Sequence, residues 1–233
     1  NFLPFSFAES LLLCSPALLV IFILLIGRAG NKSLRALVKF TSGALAVISL
    51  AYSVFVFGYG TGYYGRTIDE KLGLERKNVS AEELYDTAKL LLEGAEKELD
   101  SIFYPRGTYS SMTFSYAEMN KKLNDAWKKV SEKYPCFQRF ESNTKPVALS
   151  EPWTYTHTSG LYCFFTGEAN VNVNYPDFII VSSAAHEMAH QRGIAREDEA
   201  NFVSFLVCIS SDDPYIRYSG YLDMFREVRD KLY

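Results

Sequence analysis

The run His186-Glu-Met-Ala-His190 sets two imidazoles four residues apart, with a carboxylate directly after the first. On a helix, residues at that spacing lie about 40° apart around the axis, so both rings can grip one ion. Catalytic zinc takes neutral imidazole nitrogen at about 2.1 Å and keeps three protein ligands, leaving its fourth position open. Glu187, beside that position, has the chemistry of a general base. It can take a proton from water acidified by the metal and deliver it to a leaving amine. The chain has 3 histidines, and two of them fall in this pattern.

After His190 comes Gln-Arg-Gly-Ile-Ala-Arg-Glu-Asp-Glu-Ala-Asn201. Gly193 can take the left-handed conformation that ends a helix and turns the chain sharply, so a second helix can face the first. Glu197 is then the expected third ligand. Asn201, four residues on and on the same face, is placed to accept a hydrogen bond from the far nitrogen of a ligand histidine. Glu199 lies about 200° from Glu197 and points elsewhere, as a solvated charge or a partner of the helix dipole.

The elements that must hold these residues can be read around them. Residues 178–191 are helical in character and Gly193 ends that helix; further helices are expected over 197–209 and 214–232. Upstream, Ser80-Ala-Glu-Glu83 and Ser115-Tyr-Ala-Glu118 are capping boxes. The first opens a helix over 81–103 with one apolar stripe. The second opens a helix carrying Met119, Leu123, Ala126, Trp127 and Val130 on one face and stopping before Pro135. Between residues 146 and 173 short runs rich in Val, Tyr, Phe and Thr predict a small sheet. Gly160 between 153–157 and 161–165 predicts a hairpin, and 167–173 a further strand. Glu168, Asn170 and Asn172 alternate onto one side of that strand, where they either contact substrate along an exposed edge or form a solvated face.

Four further side chains have alternative readings. His157 could polarise a substrate carbonyl or replace Glu197 as a ligand, or simply sit at the surface of a hairpin end. Tyr218 and Tyr221, with Tyr215, follow three-residue spacing on the last helix. A phenol there could stabilise a developing oxyanion, and the same spacing also describes a buried aromatic stripe.

Charge divides the chain. Of 24 Lys+Arg and 27 Asp+Glu, residues 1–60 hold four bases and one acid, leaving a net −6 for the rest. That acidic remainder has no basic stripe and excludes nucleic acid as the main partner. Residues 8–27 and 40–58 are apolar runs of the length that crosses a hydrocarbon core. Tyr59, Tyr63 and Tyr64 follow the second, where a helix leaves lipid for water. Arg28, Lys32, Arg35 and Lys39 fill the connector without acidic company, which places it in the cytoplasm and residues 65–233 on the outer side. The expected organisation is a membrane anchor over 1–64 and an extracytoplasmic domain over 65–233. Cys14 falls in the first run and Cys208 in a late helix, which leaves Cys136 and Cys163 as the one candidate pair, joined or free. The first residue is Asn, and the sequence reads as part of a longer chain.

Two resemblances sharpen these expectations. His186-Glu-x-x-His190 followed by Glu197-x-x-x-Asn201 resembles the gluzincin branch of zinc metallopeptidases, which implies His186, His190 and Glu197 as ligands, Glu187 as base and Asn201 behind them. Only six residues separate His190 from Glu197, fewer than in most gluzincins. Gly193 resembles the metzincin turn, whose next ligand position here holds Arg196, which cannot bind zinc. The runs 165–172, 186–193 and 196–202 are similar to a bacterial membrane family, the domain of unknown function 3810. That similarity implies a zincin-like extracytoplasmic domain behind a membrane anchor, with a further span before Asn1 and more chain after Tyr233. The expectation is therefore an α+β, mainly helical zincin-like metallopeptidase domain with a small sheet behind two transmembrane helices. It would bind zinc, lie at a lipid bilayer and hydrolyse a peptide or protein. The rival from another class is a catalytically silent sensor or assembly protein on the same scaffold.

Overall fold

The computed structural model describes residues 5–232, with only the backbone of Arg106; the expected segments before Asn1 and after Tyr233 lie outside them. It is mainly helical with one small sheet. Helix α1, Phe7–Lys32, and helix α2, Leu34–Gly58, form a hairpin in which Phe22 meets Phe40 with ring centroids 5.7 Å apart. Both are long and apolar enough to cross a membrane, and neither buries its apolar window against the protein.

The apolar runs extend as helix well into the connector. It is helical throughout except at Ser33, whose backbone is extended. The reason is hydrogen bonding: the Ser33 N–H donates to Ala29 O and its hydroxyl accepts the Ala36 N–H, so one residue serves both helix ends. Arg28, Lys32, Arg35 and Lys39 thereby gather at the tip of the hairpin, and its other end joins the remaining domain.

A short 3-10 turn, Gly60–Tyr64, follows α2 directly, then α3, Ile68–Leu72, and α4, Ala81–Glu96. The capping boxes at Ser80 and Ser115 both form, and the second opens α5, Tyr116–Lys133. α4 ends earlier than its apolar spacing suggests, with Leu99–Ser101 as a separate 3-10 turn. Strand β1, Thr144–Pro146, is followed by α6, Ser150–Thr154, then β2, Gly160–Cys163, and β3, Glu168–Val171. Helices α7, Asp177–Gln191, α8, Glu197–Ile209, and α9, Pro214–Leu232, complete the described chain.

The expected hairpin across Gly160 is not formed. Trp153 and Thr154 belong to α6, because Pro152 sits in that helix's first turn, where a missing N–H costs nothing. The hairpin instead joins β2 to β3 through a turn ending at Gly167, whose φ is 66°. The sheet order is β1-β3-β2, with β1 parallel and β2 antiparallel to the central β3.

Helix α7 runs through the middle of the core. Ile180, Val181, Ala184, Ala185, Met188 and Ala189 are buried on it, against β3, α8 and α9. Met119, Leu123, Ala126, Trp127 and Val130 of α5 are buried as their spacing predicts. The four cysteines are free, so Cys136 and Cys163 are not joined.

The start of α1 is clamped to this domain. Glu168 accepts the N–H groups of Phe7 (3.1 Å) and Ala8 (2.8 Å), and Glu9 accepts those of Ala148 (3.0 Å) and Leu149 (2.7 Å). Lys145 is buried against Glu168 and donates to Phe5 O as well. A carboxylate at a helix N-terminus satisfies amides with no partner in the helix and complements its dipole.

Candidate functional site

His186 and His190 project from one face of α7. Gly193, at φ 83°, ends the helix, with its N–H on His190 O and that of Ile194 on Ala189 O. Arg192 fixes the same end: its guanidinium lies between the rings of Trp127 and Phe140, 4.2 and 4.6 Å from their centroids, and donates to Met188 O. After the three residues Ile194, Ala195 and Arg196, α8 begins at Glu197, whose carboxylate returns over the histidines.

Three donor atoms converge there. Nε2 of His186 is 2.9 Å from Nε2 of His190 and 3.1 Å from Oε2 of Glu197, and the third side of the triangle is 3.5 Å. Tetrahedral zinc with ligand bonds of about 2.05 Å spaces its donors about 3.3 Å apart, so the triangle matches one ion in size. The chemistry of the set matches too. Nδ1 of His190 donates to Ile194 O at 2.7 Å, which leaves the Nε2 lone pair free for a metal. Asn201 lines the same cavity and is among the neighbours that favour the charged form of His186. Burial disfavours the charged form of His186, but Glu197, Glu187 and Asn201 outweigh it and raise its pKa; burial and His186 lower that of His190.

Glu187 is 5% exposed, and its Oε2 has no hydrogen-bond partner. Burial raises its carboxyl to about 8, against the pull of His186 and the Tyr162 amide. It can lie so close to β2 only because residue 160 is glycine: a Cβ there would stand 2.5 Å from Glu187 Oε1. Gly160 thus serves the acid-base candidate rather than a turn.

The centre opens into a cavity of about 800 Å³. Its lining includes Phe55 of α2, Tyr59 and Tyr63 just after that helix, and Asp223, Arg226 and Glu227 of α9. Tyr59 Oη lies 3.2 Å from Nδ1 of His190. Tyr59, Tyr162 and Asp223 were not singled out as site residues by the sequence. A tyrosine ending an apolar run marks the membrane interface, and that pattern alone does not distinguish Tyr59 as a site residue. Asp223, held up in pKa by burial, has no local signal.

Several expected site residues lie elsewhere. Tyr218 is buried, with its hydroxyl 3.2 Å from that of Tyr104, and Tyr221 packs on Gly94 and edge-to-face on Phe205. Both belong to the packing between α9 and its neighbours, and neither lines the cavity. Glu168, Asn170 and Asn172 are buried, since their strand is the centre of the sheet and not an edge. Glu168 holds α1. Asn170 donates to Leu161 O and Glu168 O, and Asn172 to Thr154 Oγ1 and Thr158 O, so both tie the strand to its surroundings. The edge that faces the cavity is β2, through Gly160, Leu161 and Tyr162. His157 lines the cavity in a left-handed conformation, φ 56°, but the third donor beside the histidines is Glu197. Glu199 does point away, yet it is buried and not solvated, because Oε1 accepts the Ile68 N–H at 3.1 Å and fixes the start of α3.

No curated protein and no solved structure matches the chain. The match lies with a family, described as protein of unknown function (DUF3810), which covers residues 1–233 from end to end, and the chain belongs to it.

Proposed function

We propose that this protein is a membrane-anchored, zinc-dependent metallopeptidase whose catalytic domain lies on the extracytoplasmic side. The observation that carries the reading is the donor triangle of His186, His190 and Glu197, with Glu187 buried beside it in a cavity of peptide size. When bound, zinc supplies a Lewis acid that acidifies water and polarises a carbonyl. Glu187, buried beside the donors, would hold and move the proton. Nδ1 of His190 is occupied by Ile194 O, which orients that ring without a proton leaving it. The outer edge of β2 offers backbone groups to an extended peptide, and Gly160 leaves room for the chain to approach Glu187.

The anchor supports the rest of the reading. The two apolar helices place their four cations at the hairpin tip, far from the domain, and cytoplasmic loops carry such an excess.

The test is elemental analysis of the full chain, purified without chelators, beside His186→Ala and Glu187→Gln variants. We expect about one zinc per chain in the parent and in Glu187→Gln and far less in His186→Ala, as for three-ligand sites. A peptide library should then be cut by the parent and not by Glu187→Gln. A metal-free parent would remove the reading; bound zinc with no cleavage would leave a sensor or assembly protein.

A further inference from the structure

Resting on the peptidase reading, we infer that the substrates are polypeptides tethered to the same membrane, cut in the segment that emerges from the bilayer. The last turns of α2 are themselves a wall of the cavity. Phe55 lies within the apolar run, and its ring meets Phe164 and Phe165 of the β2–β3 turn at 6.0 and 6.3 Å. Gly58 lets that turn approach, because a Cβ there would lie 2.7 Å from Phe164 Cζ. The turn therefore stands level with the end of the span, where Phe57, Tyr64, Leu161 and Phe165 are 77, 94, 51 and 63% exposed. Leu161 also lines the cavity, so the apolar collar and the cavity rim share a side chain.

No stalk separates the domain from the helices. α2 runs directly into the Gly60–Tyr64 turn, which packs on the loop behind the histidines: a Cβ at Gly62 would lie 3.0 Å from Ala195 Cβ. The start of α1 is clamped by Glu168 and Glu9. Two attachments fix the height of the donor triangle, and the Tyr59 phenol spans the gap between α2 and His190. Tyr59 follows Phe55 by one helical turn, about 6 Å. The headgroup layer is about 5–7 Å deep on each side and an extended residue covers about 3.3 Å, so the scissile bond falls within about five residues of a substrate's own span. A chain leaving the bilayer beside α2 would meet Phe55 and Tyr59 in a cavity that Asp223, Arg226 and Glu227 also line.

The experiment uses the zinc-loaded full chain in phosphatidylethanolamine–phosphatidylglycerol vesicles. One randomised peptide cassette is offered directly after a transmembrane helix, after the same helix and a flexible linker of about thirty residues, and free in solution. New termini are identified by mass spectrometry. The direct form should be cut at least about ten-fold faster than the linker form, which shares its surface concentration but not its register. Equal rates in all three forms overturn the inference and leave the peptidase standing. Release of lipid fragments instead of peptide overturns it in favour of a lipid substrate, and no cleavage in any form removes the peptidase reading and the inference with it. A second measurement needs no turnover: Phe165→Trp in vesicles with bromine-labelled acyl chains should show quenching beyond that of the parent. Its absence overturns the placement of the rim at the bilayer, whatever the activity.

Discussion

The phenol of Tyr59 stands 3.2 Å from Nδ1 of His190, across 131 positions of sequence. The end of the second apolar helix is therefore part of the candidate metal centre, and not merely its support. Tyr59→Phe keeps the ring packing against Tyr162 and Phe164 and removes only the hydroxyl. Groups behind metal ligands typically contribute about 10–100-fold in affinity, and Ile194 O already holds this nitrogen, so a loss near ten-fold in zinc affinity is expected. Competition with a fluorescent chelator measures it, and an unchanged affinity would show the contact to be packing alone.

Gly160→Ala forces a methyl group onto Glu187. Something must shift, and overpacking of this kind costs about 1–3 kcal/mol. Zinc content should stay near that of the parent, because the three donor atoms are untouched, while peptide turnover falls by about 100-fold as the acid-base group is displaced. Full turnover in this variant would mean that Glu187 is not the proton carrier in that position.

The clamp on α1 carries a pH dependence. Burial pushes the Glu168 carboxyl up, but Lys145 and the Ala8 and Phe7 amides outweigh it and hold it below the ordinary glutamate value. A depressed carboxyl stabilises the folded state fully above its unfolded value, and the contribution is lost as pH falls through the folded one. Unfolding temperature, followed from neutral to acidic pH, should therefore fall on the acid side, and Glu168→Gln should be less stable at neutral pH with a flatter acid limb. Parallel curves for the two proteins would show that this carboxylate holds nothing.

Tyr218→Phe and Tyr221→Phe should bind zinc like the parent, since both hydroxyls lie outside the cavity. Tyr218→Phe loses one hydrogen bond to Tyr104, worth about 0.5–1.5 kcal/mol. Gly94→Val, by contrast, drives side-chain atoms into the Tyr221 ring, 2.5 Å from where a Cβ would stand, and should lower the unfolding temperature sharply. Abolished turnover in Tyr221→Phe with stability unchanged would return that phenol to the site.

What could be read in advance was local. Helical period and the Gly193 turn bring Glu197 and Asn201 over the histidines, because each step depends on residues within a turn or two. Capping chemistry located α4 and α5 in the same way. Period two placed Glu168, Asn170 and Asn172 on one side of a strand, but whether a strand is central or at an edge depends on its neighbours, and β1 arrives from over twenty residues upstream. A proline in a helix's first turn, as Pro152 is in α6, resembles one in a loop until the hydrogen bonds are known, so sequence alone does not reveal α6. Tyr59 and Asp223 reach the cavity from α2 and α9, and no spacing rule links positions so far apart.

The clamp on α1 also orders events in time. The amides of Phe7 and Ala8 wait for a carboxylate 161 and 160 residues later, so the first helix cannot be seated until β3 has been made and folded. Contacts of such separation form late and slowly. Until then the first helix is held to the domain only through the chain itself, and the same strand pairing that closes the clamp also sets β2 beside Glu187. Seating of the first helix and the shaping of the cavity therefore share one strand pairing, and a chain released before β3 is made would have neither.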